Sequence, residues 1–314
     1  MLTSLTDVGW GFLLVFALQV PAILVNTLAW RQMLPTEHRS VPLRSLAAML
    51  LAGDAINAVT PSAVVGGELV RMSLLRRRVP TATALGSTSL AAMAQFFAQI
   101  LFVLTGVPIA LALVTDGGVR TGLFVLSAVL CFALALLVGL GWSRSGWKTL
   151  QRWLERVGWW RALRKERETT WRALSDTTLG ALRRRPGDFA LSVALHYAGW
   201  LVGAVEVRLI LSLLRMPVGW GQAFAIEALS LAIEAAFFFV PAKMGTQEGG
   251  KYFIFHVLGL DPARGFALGF VRRLRELAWA AVGLGLYGWF QRVEQPARAG
   301  ESALRRYAQG RDGA

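Results

Sequence analysis

Two apolar stretches of the chain place acids and cations at matching offsets around a proline. The first reads NAVTPSAVVGGELVRMSLLRRR (57–78) and the second FFFVPAKMGTQEGGKYFIFHVLGLDP (237–262). With Pro61 set against Pro241, an acid lies seven residues before each, Asp54 or Glu234. A glutamate lies seven after, Glu68 or Glu248, and a cation ten after, Arg71 or Lys251. A second proline follows, Pro80 or Pro262, and then the triplet Ala84-Leu85-Gly86 or Ala267-Leu268-Gly269. Carboxylates are costly to leave ionised and alone at membrane depth, so Asp54 and Glu234 need partners. Glu227, Ser230 and Glu234 share one helical face, and Arg272, Arg275 and Glu276 share another inside an apolar run. Arg71, Lys251, Arg272 and Arg275 can neutralise these acids or hold an anionic headgroup, since arginine binds phosphate in bidentate fashion. The competing reading is structural: an ion-pair network that locks a helical bundle.

Each stretch predicts two short helices meeting near its proline, because proline removes a backbone donor and the adjacent glycines let the chain turn. Backbone groups freed in this way must line a cavity or be buried in protein. The start of the second half-helix offers unpaired N–H groups and a positive dipole end, which suits a phosphate. Gly66, Gly67 and Glu68 lie there in the first stretch; Gly245, Thr246, Gln247, Glu248 and Gly249 lie there in the second. The candidate headgroup cavity is thus Gly66, Gly67, Glu68, Arg71, Gly245, Gln247, Glu248, Lys251, Arg272, Arg275 and Glu276, with Asp54, Glu227 and Glu234 as candidates for ion coupling. Glu206 is a weaker candidate, and Arg208 reads as a snorkelling residue. His38 reads as a loop residue, His196 and His256 as packing residues, and none has metal-ligand spacing. Gly283, Gly285 and Gly288 read as helix-packing positions. No phosphate-binding GK[ST] loop, HExxH or nucleophile elbow occurs. We therefore expect no catalytic residues, metal or cofactor.

The elements that hold these residues are membrane helices. Just over half of the 314 residues are hydrophobic, and apolar runs of about 20 residues recur, the length needed to cross a bilayer. The run from Gly9 to Trp30 is too long, and lacks the flanks, for a removable signal peptide. Cys131 is the only cysteine, so no intrachain disulfide or cysteine metal cluster can form. The net charge of +14 lies mostly in segments between or beside the apolar runs, as in the positive-inside rule, and not in a nucleic-acid-binding face. Anionic lipid headgroups are the partners this predicts.

The expected architecture is all-α and polytopic, with about five full spans and two re-entrant hairpins related as an inverted repeat. An N-terminal half (1–141) holds a span at 8–30, a hairpin at 45–72 entered from the cytoplasm, a span at 81–114 interrupted near Gly106 and Pro108, an outside turn at 115–119 and a span at 120–141. A cytoplasmic connector (142–188) rich in Arg and Trp reads as amphipathic and interfacial. The C-terminal half (189–290) holds a span at 189–214, a hairpin at 223–258 entered from outside and a span at 265–289, followed by a basic cytoplasmic tail (291–314). A full crossing at 223–240 would put that tail outside, against the charge distribution.

The proline–glycine–glutamate hairpin, its second copy around PAKMGTQEGG and the closing RELAWAAVGLGLYGW resemble the transmembrane, flippase-like region of lysylphosphatidylglycerol synthases and their stand-alone relatives, in particular the hopanoid-biosynthesis-associated membrane proteins. The resemblance covers nearly the whole chain. It implies a bacterial inner-membrane protein with re-entrant helices that moves or binds lipids, anionic phospholipids or hopanoid-type lipids. It also implies lipid-biosynthesis enzymes or a second copy of the chain as partners. No aminoacyl-transferase domain follows Trp289, so lysine transfer from tRNA is not expected. A lipid translocator is the first reading. A membrane-embedded lipid-modifying enzyme and a non-transporting scaffold for lipid synthesis are the alternatives.

Overall fold

The computed structural model describes residues 9–59, 65–142, 184–237, 240 and 245–311. Among these the chain forms nine α-helices and no strand: α1 Gly11–Gln32, α2 Leu43–Val59, α3 Val65–Leu75, α4 Thr81–Leu113, α5 Gly117–Trp142, α6 Pro186–Leu213, α7 Trp220–Ala236, α8 Thr246–Val257 and α9 Pro262–Arg311. A single 3₁₀ turn, Thr36–His38, joins α1 to α2. Pro61, Pro241 and most of the Arg/Trp-rich connector lie outside the described residues.

Prolines and glycines set the helix boundaries. Pro80, in an extended conformation, closes off α3 and opens α4. Pro186 opens α6 with Asp188 in its first turn, where a carboxylate meets the positive end of the helix dipole. Gly245 precedes α8 at φ 75°, a left-handed conformation that costs a glycine little because it has no Cβ. The interruption expected near Gly106 and Pro108 is not found, and α4 runs unbroken through Pro108. A proline removes one intrahelical bond, and close packing of Gly106 on Ala228 of α7 holds the helix on either side of that loss.

Four helices, α1, α4, α5 and α6, are long and apolar enough to cross a membrane. The chain is a multi-pass membrane protein. Helix α9 covers the span expected at 265–289 and carries Arg272, Arg273, Arg275 and Glu276 within it. Helices α3 and α8 have 11 and 12 residues, so each is about 17–18 Å long, well short of the ~30 Å hydrocarbon core. Each packs against the helix before it, α3 on α2 and α8 on α7. These are the two helical hairpins the repeat anticipated. If they are re-entrant, cysteines placed singly at Arg44 and Arg76 should be protected together from an impermeant thiol reagent outside the cell. Those at Gly219 and Asp261 should label. Protection of only one member of either pair would mean that the hairpin crosses.

The two halves are exchanged at their hairpins. Helix α2 of the first half packs on α9 of the second, and α7 of the second packs on α4 of the first. Gly283 of α9 allows the first contact: a Cβ there would collide with the Leu51 carbonyl and with Ala55. Gly106 does the same for the second. Gly285 and Gly288, also expected at a packing seam, have no atom within 4 Å of where a Cβ would stand. They face away from the seam that Gly283 occupies.

Helices α1 and α6 run together at the centre, joined by Ser192 Oγ donating to the Ala29 carbonyl at 3.0 Å. One apolar core, with Trp30, Leu46, Met49 and Leu74, surrounds the first hairpin. A second, with Phe102, Ile226, Ile254 and Phe255, surrounds the other. Helix α5 packs mainly on α4 and exposes Phe124, Val125, Val129 and Phe132, as a lipid-facing helix does.

Candidate functional site

The charged residues of the first hairpin meet where α2 and α3 cross. Gly53 and Gly67 face each other there, and a Cβ on either would run into the other's backbone carbonyl. The Gly67 N–H donates to Asn57 Oδ1 at 2.7 Å, which satisfies one of the free donors at the start of α3. One turn on, Arg71 donates to Asp54 at 2.5 Å and to Glu68 at 2.6 Å. This cluster lines a cavity of about 50 Å³ that also includes Asn26 and Trp30 of α1, Thr88 of α4 and His196 of α6.

The second hairpin pairs its acid and cation at the matching positions, Lys251 Nζ lying 3.8 Å from Glu234. Lys251 is 2% exposed, a burial that an ammonium tolerates only beside an opposite charge. Gln247 donates to Glu276 of α9 at 3.1 Å. Glu248, by contrast, lines neither cavity, and its backbone packs against Gly269 of α9. Gly245 is exposed, and Gly66 is partly buried near the crossing of the first hairpin.

The strongest charge cluster is built on α9. Arg272 lies 2.7 Å from Glu227 of α7 and 3.1 Å from Glu206 of α6, and it donates to the Gly203 carbonyl at 2.8 Å. Gly203 has no Cβ, which leaves room for the Glu227 carboxylate against α6. Arg275 binds the other side of the site, 3.0 Å from Glu206 and hydrogen-bonded to Gln19 of α1. Arg273 and Arg275 both approach Glu276. These groups line a cavity of about 180 Å³ between α1, α6, α7 and α9, with Asn26, Trp200 and Glu234 completing its wall. Nε of Arg272 and Arg275, Nε1 of Trp200 and Oε1 of Glu206 are buried there without a hydrogen-bond partner among the described residues. Such groups are rare in folded proteins, because an unmade hydrogen bond in the interior costs about 1–3 kcal/mol.

The structure thus joins Asp54, Glu68 and Arg71 in one site and Glu227, Glu234, Lys251, Arg272, Arg275 and Glu276 around a second. Glu206 proves central to the second. Arg208, read as snorkelling, lies over the Trp220 ring, 4.4 Å from its centroid. Gln19, Asn26, Thr88 and His196 went unsingled as cavity residues. Gln19 and Asn26 had a signal: two amides seven positions apart on one face of an otherwise apolar span.

The model of one protein family, the lysylphosphatidylglycerol synthase TM region, matches residues 1–285. The chain belongs to this family. The match takes in both hairpins and the α9 arginines, so both cavities lie inside the lysylphosphatidylglycerol synthase TM region. No curated protein and no solved structure matches the chain.

Proposed function

We propose that the chain is a lipid translocator of the bacterial inner membrane, and that a polar lipid headgroup passes through the cavity between α1, α6, α7 and α9. The observation that carries this reading is the mixed set of unpartnered polar atoms on side chains that line that cavity. The Nε–H groups of Arg272 and Arg275 suit the oxygens of a phosphate, and the free Oε1 of Glu206 suits a hydroxyl or ammonium beside it. The wall itself carries Glu206, Glu227, Glu234 and Glu276 against Arg272 and Arg275. Adding the adjacent Lys251 and Arg273 balances these charges. A balanced site favours a headgroup bearing both hydrogen-bond acceptors and donors, whether of a phospholipid or of a hopanoid-type lipid, over a bare anion. Membership of a family resembling the flippase-like region of lipid synthases agrees with movement of a lipid.

The test is the full chain in vesicles with fluorescent phospholipids that differ only in headgroup. Wild type should accelerate loss of inner-leaflet asymmetry. Arg275→Gln should slow it by about tenfold or more, the effect of losing one charge-assisted hydrogen bond, while its thermal stability stays near that of wild type. Glu206 keeps Arg272 as a partner in that variant, so the fold is not the target. Equal rates with wild type, Arg275→Gln and protein-free vesicles would remove the translocator reading.

A further inference from the structure

The two hairpins pair their charges differently, although their acid and base positions match. In the second, Glu234 and Lys251 pair one to one. In the first, Asp54 and Glu68 share a single guanidinium, Arg71. His196 adds no positive charge. Its Nδ1 lies 2.9 Å from Asn26 Oδ1, and an amide oxygen has no hydrogen to give, so Nδ1–H is the donor. A second proton on Nε2 would be a buried N–H with no acceptor among the described residues, so the ring is neutral and Nε2 carries the lone pair. His196 Nε2 has no partner among the described residues, nor does Thr88 Oγ1. Both residues are at least nine-tenths buried, at 4% and 5% exposed, and both line the cavity.

The charged and titratable groups that face this cavity are Asp54 from α2, Glu68 and Arg71 from α3 and His196 from α6. Helices α1 and α4 add only uncharged side chains, Asn26, Trp30, Thr88 and Gln95 among them. The sum is one uncompensated negative charge at the crossing of a membrane hairpin, where such a charge is costly. We propose that this cavity binds one monovalent cation, sodium or a proton, held by the Asp54 and Glu68 carboxylates with Thr88 and His196 as the further acceptors. A divalent ion would overshoot the charge. Trp30 Nε1 and Arg71 Nε, also without partners, suit a water carried in with the ion, and a cavity of about 50 Å³ has room for one or two small species. Asp54 leaves 51% of its side chain exposed, which gives the ion a way in.

The test is thermal unfolding of the purified full chain in detergent, in sodium chloride against choline chloride at equal ionic strength, and in choline chloride as the pH is lowered. If sodium is the occupant, the midpoint rises by a few degrees and saturates with sodium but not with choline. If the proton is the occupant, sodium has no effect and the midpoint rises on acidification. In either case Asp54→Asn removes the surplus charge, so it should lose that response and sit at the midpoint of the loaded wild type. Glu68→Gln should behave alike, and it serves if the first variant does not fold. Neither medium shifting wild type, or both variants responding as wild type does, would overturn the proposal. The measurement needs no lipid movement, so it succeeds or fails separately from the translocator reading.

Discussion

Arg272→Met is expected to lower the stability of the folded protein by about 3–5 kcal/mol, the cost of leaving a buried charge without its partner. The guanidinium is 2.7 Å from Glu227 and 3.1 Å from Glu206, and all three side chains are at most 7% exposed. Glu206 retains Arg275 at 3.0 Å when Arg272 is lost. Arg272 is the one cation within 4 Å of Glu227 among the described residues, so Glu227 carries most of the penalty. The double variant Arg272→Met, Glu227→Gln should therefore regain much of the loss, since a glutamine keeps the volume and drops the charge. Thermal midpoints and the monodisperse fraction in detergent measure both. A single variant as stable as wild type would mean that Glu227 has another source of compensation.

The second large effect is steric. Gly283→Ala puts a methyl into the Leu51 carbonyl and Ala55, backbone included, so α9 must move away from α2. Overpacking of this kind typically costs about 1–3 kcal/mol. Two residues on, Gly285→Ala meets nothing within 4 Å. It should be neutral or stabilise by up to about 1 kcal/mol through helix propensity. The same thermal midpoints decide the matter. Equal effects at the two glycines would show that α9 does not pack on α2 through the Gly283 face.

The parts of this molecule that sequence spacing revealed are those closed over short distances along the chain. Asp54 with Arg71, and Glu234 with Lys251, are each 17 positions apart and joined by one hairpin, so the matched offsets carried both pairs. The same offsets misalign in space one turn earlier. Glu68 reaches Arg71, whereas Lys251 pairs with Glu234 and the backbone at Glu248 packs on Gly269 of α9. Glu206 and Asn26 depend on which faces of α1, α6 and α9 meet. Those contacts are made between residues 69 or more positions apart, and helical periodicity within one segment says nothing about them. Charge also dilutes the apolar signal of α9, although its later part still reads as a span. Its arginines look foreign to a membrane until Glu206 and Glu227 are seen opposite them.

The exchange of hairpins between halves bears on how the protein is made. Leu51 and Gly283, which touch, are 232 positions apart. At roughly 5–20 residues per second of synthesis, α2 enters the membrane some 10–50 s before the helix that covers it exists. In that interval the first hairpin has its local pair, Arg71 with Asp54, but its α9-facing side is open to lipid or to the insertion machinery. The last helix therefore acts as a late-arriving seal on the first hairpin. A nascent chain stalled or cleaved before α9 would expose its defect near the other end of the molecule, and membrane proteases would be offered α2 first.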